Sequence, residues 1–315
     1  MRLRRTFPVI AFFLAFSTHA QTLRQDARLD TPVSINGAIT CNSGTQVVGI
    51  GQDGALYVWT LPSATARKIA LEEGPAHSVD CDAKGNLAVG LGGGKVRILD
   101  AHNGAIRQRI ETKEHVHGVY FSPDGALLAL AVGESPTQLW DARSGQKLAT
   151  GVTNLGGTAT AAFSPASDML ISADKDTRIR AYNRAGKLLY TADAGLLESF
   201  AVAFTPDGKR FAVAGAEGSV SLFETASGKK LRTSASTGNP IFALSVLPEN
   251  GHIAAIEADD FTLDPKALGL WDAQSTEVRH GAADVKGAVG LGSDKTHALL
   301  LKQEDPKTLT VSSLQ

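Results

Sequence analysis

Three tryptophans are the whole supply of that residue in a chain of 315, and all three fall on one repeat phase. They are Trp59, Trp140 and Trp271. Between them, at matching spacing, stand Leu99, Tyr182 and Phe223. The steps from 59 to 271 are 40, 41, 42, 41 and 48 residues, and 41 more reach Ser312. Seven units therefore fill the chain from about residue 22 to its end. A fixed period of this length marks a repeat architecture, in which a unit buries its apolar face only by stacking on its neighbours.

Each unit repeats one internal order. The third shows it best: a short apolar run at 116–121, the turn Ser122-Pro123-Asp124-Gly125, a second run at 127–132, a third ending at Trp140, then Ser144-Gly145 and a fourth run. Proline presets φ in such a turn, aspartate caps it and glycine takes the left-handed corner. Thr205-Pro206-Asp207-Gly208 repeats the device in the fifth unit. The middle runs are apolar at nearly every position, as 126–132 shows, so they are expected to be strands buried on both faces.

Four short strands per unit, the dipeptides Trp140-Asp141 and Trp271-Asp272, and the Ser-Pro-Asp-Gly turn resemble the WD-repeat propeller family, WD40-like or YVTN-like. The resemblance covers about residues 22–315. It implies an all-β fold: a seven-bladed β-propeller of four-stranded antiparallel blades. The expected blades span about 34–71, 75–112, 115–152, 157–193, 198–234, 240–280 and 285–315, the last completed by 22–33. The sequence departs from the family in lacking most of its Gly-His pairs. It also places Gly92-Gly93-Gly94 where the second unit should carry an aspartate turn.

Two consequences follow for the ends of the ring. The seventh unit stops after its third strand, so its outer edge stays unpaired unless another segment covers it. Residues 22–33 are the right length, and are expected to pair around 309–314; the alternative is a disordered tail. Ser312 stands where the other units carry a large side chain, so the seventh blade should be the weakest.

The first twenty residues read as a secretory signal. Arg2, Arg4 and Arg5 precede the apolar run 7–16, and Thr18 and Ala20 set up cleavage after Ala20. The run is too short for a membrane-spanning helix. Arg4-Arg5-Thr6-Phe7 is also compatible with twin-arginine export. The expected mature domain, 21–315, is periplasmic or secreted, with no integral membrane segment. It carries 28 Lys and Arg against 32 Asp and Glu. That balance disfavours nucleic acid as a partner.

Cys41 and Cys81, the only cysteines, occupy equivalent positions in adjacent units. An oxidising compartment invites a disulfide. Sheets facing each other about 10 Å apart argue against one, because a bridge needs Cα atoms within about 7 Å. Two small buried hydrophobes is the favoured reading, though convergence near the axis would permit the bond.

His77 and His117 are also equivalent, each near the start of an innermost strand. His115 lies two residues before His117, with Glu114 beside it. Such a group at a channel mouth suits a wet rim or a partner contact, and less readily a metal. The turns expected on the same face carry Asp53, Glu134, Asp174, Asp176, Glu217, Glu304 and Asp305. An acidic rim would favour a basic partner. The sixth unit has an insertion holding Asp259, Asp260, Phe261, Leu263 and Asp264. Long loops are where binding residues concentrate. No nucleophile–base pairing, phosphate loop or cofactor motif stands out. The sequence therefore points to a non-catalytic scaffold that binds a protein or peptide through its loop face, with no cofactor. The alternative is a propeller enzyme working at the channel mouth: a metal-dependent hydrolase or lactonase, or a quinone-cofactor dehydrogenase.

Overall fold

The computed structural model describes residues 23–152, 156–195, 198–247, 251–259, 264–272, 278–280, 285–293 and 297–314. Among them the chain forms seven four-stranded antiparallel sheets. Six are consecutive: 35–69, 76–111, 116–150, 158–193, 199–233 and 241–280. The seventh combines Ala288–Ser293, Ala298–Asp305 and Thr308–Leu314 with Leu23–Asp30. These are blades one to seven of a β-propeller. Among the described residues no helix is long and apolar enough to cross a membrane.

The second strand of each blade is its sequestered centre. Leu127–Val132 and Ile253–Ala258 are buried at every position. Both faces of a blade meet neighbouring blades, so alternation of polar and apolar residues disappears there.

Seven apolar clusters correspond to the seven joints between blades. The repeat-phase side chain of each blade packs back onto the blade before it. Trp271 joins Leu222 and Val220 of blade five, Phe223 joins Ile171 and Ile179 of blade four, and Tyr182 joins Leu139 of blade three. Trp59 lies among Leu301, Leu309 and Val311 of blade seven. The joint between blades six and seven is instead filled by aliphatic side chains, Leu268, Leu270, Leu300 and Leu314 among them. That is where Ser312 replaces a ring.

Closure follows the expected route. Leu23–Asp30 runs antiparallel to Thr308–Leu314, with Leu29 opposite Leu309 and Ala27 opposite Val311. It supplies the missing outer strand and covers an open edge. Further bonds fix the seam: Trp59 Nε1 donates to the Asp30 carbonyl at 3.0 Å, and Ile35 N to Gln303 Oε1 at 3.0 Å.

The turn chemistry is also as its residues imply. Ser122 Oγ donates to Asp124 Oδ1 at 2.7 Å and accepts from Leu127 N at 2.9 Å, while Gly125 takes a φ of +67°. In blade four the glycine corner is filled by Ser167, at φ +59°. The triglycine of blade two makes a single 3₁₀ turn. Gly94 sits there at φ +77°, and a Cβ on it would lie 2.6 Å from the carbonyl oxygens of Thr112 and Glu114. Only glycine fits that approach.

Candidate functional site: the two mouths of the central channel

All seven innermost strands begin at one end of the channel, here the upper mouth, and finish at the other, the lower mouth. Each carries a β-bulge at its second residue. The pairing register slips between Ile35 and Gly37, Ala76 and Ser78, Val116 and Gly118, and Thr158 and Thr160. It slips likewise between Ser199 and Ala201, Ile241 and Ala243, and Ala288 and Gly290. A bulge re-aims the extra side chain. The bulged residues are Asn36, His77, His117, Ala159, Phe200, Phe242 and Val289, one per blade. Asn36, His77 and His117 are exposed and the other four half-buried, whereas the residue before is buried in every blade but the seventh.

This ring has two unlike sides. On blades two and three the imidazoles of His77 and His115 lie 5.3 Å apart, and those of His115 and His117 4.9 Å apart, both edge to face. On blades five and six, Phe200 and Phe242 stack at 4.6 Å with planes 10° apart. The His117 imidazole is held below its ordinary pKa, first by partial burial and then by the nearby His115 and Lys175, against a hydrogen bond with Gly133. The structure thus brings together all three histidines that the sequence marked. Among the described residues no group of three or more His, Cys, Asp or Glu is placed to hold a metal ion.

The turn acids do not form one open rim. Asp174 is fully buried. Its carboxylate accepts from Thr158 Oγ1 at 2.8 Å, Ser172 Oγ at 3.2 Å and Arg180 Nη1 at 2.6 Å. Thr158 in turn meets Thr137 of blade three at 2.7 Å. Asp176 grips the same guanidinium bidentately, at 2.9 and 2.6 Å. Asp53 accepts from Tyr57 at 2.9 Å and Lys68 at 2.7 Å, and the Lys68 bond is the main cause of its lowered pKa. These three acids fasten their own blades, and Asp174 has no surface to offer a partner. The physical reason is position: a carboxylate on the turn between second and third strands lies within reach of donors on the strands it connects. Glu134 is exposed and Glu217 half-buried. In the sixth-blade insertion, Asp259 N donates to the Asp264 carbonyl at 2.9 Å, closing the loop at its base. Asp260, Phe261 and Leu263 lie outside the described residues, as do residues 1–20.

The lower mouth is built differently. It opens into a cavity of about 970 Å³ lined by the ends of the innermost strands and the turns that follow. Cys41 and Cys81 form a disulfide there, with Cα atoms 6.1 Å apart. This corrects the expectation of two separate thiols. The sheet-to-sheet spacing behind that expectation describes the middle of a blade, and the innermost strands converge at the axis.

Beside the bridge stands Asp80, which the sequence reading passed over. Its Oδ1 accepts from Cys81 N at 2.8 Å and its Oδ2 from Phe121 N of blade three at 2.7 Å. Burial pushes its pKa up to about 6, the two N–H donors opposing and Asp82 adding to the rise. The available signal was a carboxylate inside an innermost strand, one residue before a repeat-phase cysteine.

Residues 161–257 match the family model described as the anaphase-promoting complex subunit 4 WD40 domain. The fold is a WD40-type propeller. The matched span runs from the first strand of blade four to the second strand of blade six, and the same blade pattern continues around the ring on either side. No curated protein matches the chain. A WD40 propeller is a frame that hosts many roles, so the role must be argued from the two mouths.

Proposed function

We propose that this chain is an exported, non-catalytic scaffold whose upper mouth binds a protein or peptide. The observation that carries the reading is the ring of seven bulged side chains, with an imidazole group on one side and a stacked phenylalanine pair on the other. Half-buried aromatic rings are good anchors for a partner's apolar side chain. Imidazoles on the other side of the mouth supply donors for a partner's carbonyls or carboxylates. A basic partner loses its main support, because Asp53, Asp174 and Asp176 are engaged within the chain. The insertion around Asp259 and Asp264 borders the same face and extends the candidate surface, with Glu217 on the neighbouring turn.

Export is supported by the arginine-led apolar segment before Ala20 and by the Cys41–Cys81 bridge, since disulfides persist in oxidising compartments. Amino-terminal sequencing of exported protein should begin at Gln21; a chain retaining Met1 would overturn this part.

The binding test is crosslinking in the native compartment with the full precursor gene. The wild type should capture a partner that is lost in a Phe200→Ala, Phe242→Ala double variant and weakened in His77→Ala, His117→Ala. Equal capture by all three proteins would remove the upper mouth from the interface.

A further inference from the structure

The lower mouth has the features of a small-molecule site. Its volume of about 970 Å³ lies at the upper end of the range for ligand pockets, roughly 300–1,000 Å³. Ile39, Phe121, Phe204, Leu244 and Leu291, from five different blades, give it an apolar wall. Two acidic residues line it, Asp80 and Asp82, and they differ. Asp82 is committed to its own turn, accepting from the backbone of Lys84 and Asn86, both at 2.8 Å, and from Asn86 Nδ2 at 2.5 Å. Asp80 accepts one backbone N–H on each oxygen, which leaves a lone-pair direction free on both. No lysine or arginine is among the described residues lining the cavity.

A carboxylate in an apolar pocket without a counter-cation is costly to keep charged. A ligand that brings the cation relieves that cost. The occupant must therefore be positive where it meets Asp80 and apolar elsewhere. A divalent metal fits poorly, since calcium or magnesium needs six or more oxygen ligands and Asp80 is, among the described residues, the one lining carboxylate not committed to its own turn. An anion would meet Asp80 and Asp82 of like sign.

We propose that the lower mouth binds a small organic ammonium, a primary amine on an apolar body, with Asp80 as its counter-ion. The ammonium group donates to the free lone pairs of Asp80, and the body lies against Phe121, Phe204, Leu244 and Leu291. The site is at the opposite end of the channel from the upper-mouth surface, so either reading can fail without the other.

Binding should depend on pH through Asp80. The titratable groups facing it are Asp82, near the end of its own strand, and Tyr120, on the next innermost strand. Burial holds the Tyr120 hydroxyl above its ordinary value, so it stays neutral throughout. Cys41 and Cys81 are bridged and do not titrate.

The test uses the mature full-length protein and two probes of the same shape, 2-phenylethylammonium and the neutral 2-phenylethanol, measured by equilibrium dialysis. At about pH 8 the ammonium should bind at least about tenfold more tightly, and at about pH 5 the preference should collapse as Asp80 protonates. Asp80→Asn should abolish the preference at both pH values. Leu291→Trp, which reshapes the apolar wall and leaves Asp80 in place, should weaken binding of both probes alike, and serves if Asp80→Asn fails to fold. Equal affinity for the two probes, no saturable ammonium binding up to about 10 mM, or an unchanged preference in Asp80→Asn would each overturn the proposal.

Discussion

The two mouths of the channel are made by the same seven strands, yet they are opposites. At the upper end each strand begins with a bulge, and the freed residue differs from blade to blade: asparagine, two histidines, alanine, two phenylalanines and valine. At the lower end adjacent blades are tied together. A disulfide joins blades one and two, Asp80 of blade two holds the backbone of blade three, and Ser245 of blade six donates to Gly292 of blade seven at 3.1 Å. The difference teaches a division of labour. The lower ends carry the covalent and carboxylate ties between blades, while the bulged positions of the upper ends vary in chemistry from blade to blade.

The sharpest way to break this comparison is to cut the bridge. Replacing Cys41 and Cys81 by serine opens a closed loop of about forty residues and should lower stability by about 4 kcal/mol. Guanidinium unfolding measures it, and an unchanged midpoint would show that the bridge does not hold the lower end. Next in size, Asp174→Ala should cost about 3 kcal/mol, because it strips a buried acceptor from Arg180, Thr158 and Ser172. A loss below about 0.5 kcal/mol would return Asp174 to the surface group and weaken the contrast. Phe200→Ala should cost only about 1 kcal/mol, since the ring is half-buried and its gain is mainly the stack on Phe242.

A smaller effect separates the ends by pH. The folded pKa of Asp80 lies above its unfolded value, so between about pH 4 and about pH 6 the folded state holds the extra proton. Its contribution to stability is therefore present at the acid end and is lost as pH rises through 6. Wild type minus Asp80→Asn, measured by thermal unfolding across that range, should show this falling slope; a flat difference would contradict it. Smallest of all, His77→Ala should change stability by less than about 0.5 kcal/mol, as expected of an exposed side chain.

Much of the fold was legible because propeller blades are local. Strand, turn and repeat-phase residue recur within about forty positions, so Trp59, Trp140 and Trp271, with Leu99, Tyr182, Phe223 and Ser312 at the steps between and after them, set the blade count. The closing strand could be placed because an unpaired edge demanded one. The candidate site was only half legible. His77 and His117 could be matched by phase, but Phe200 and Phe242 occupy the same phase and read as ordinary strand apolars. Their common position is revealed by the bulges, which leave no local mark in the sequence.

By itself the sequence determined seven units, their order, the segment that closes them and the residues at each turn. Those features depend on contacts within one repeat or between its nearest neighbours, where periodicity is the physical rule. Tertiary structure alone decided three things. It brought Cys41 within bonding distance of Cys81, turned Asp174 inward onto Arg180, and left Asp80 facing an apolar cavity without a counter-cation. The first and the third depend on how closely the strands converge on the axis once the ring is closed, a distance set by all seven blades together; the second depends on the packing of blade four against blade three, where Thr137 meets Thr158.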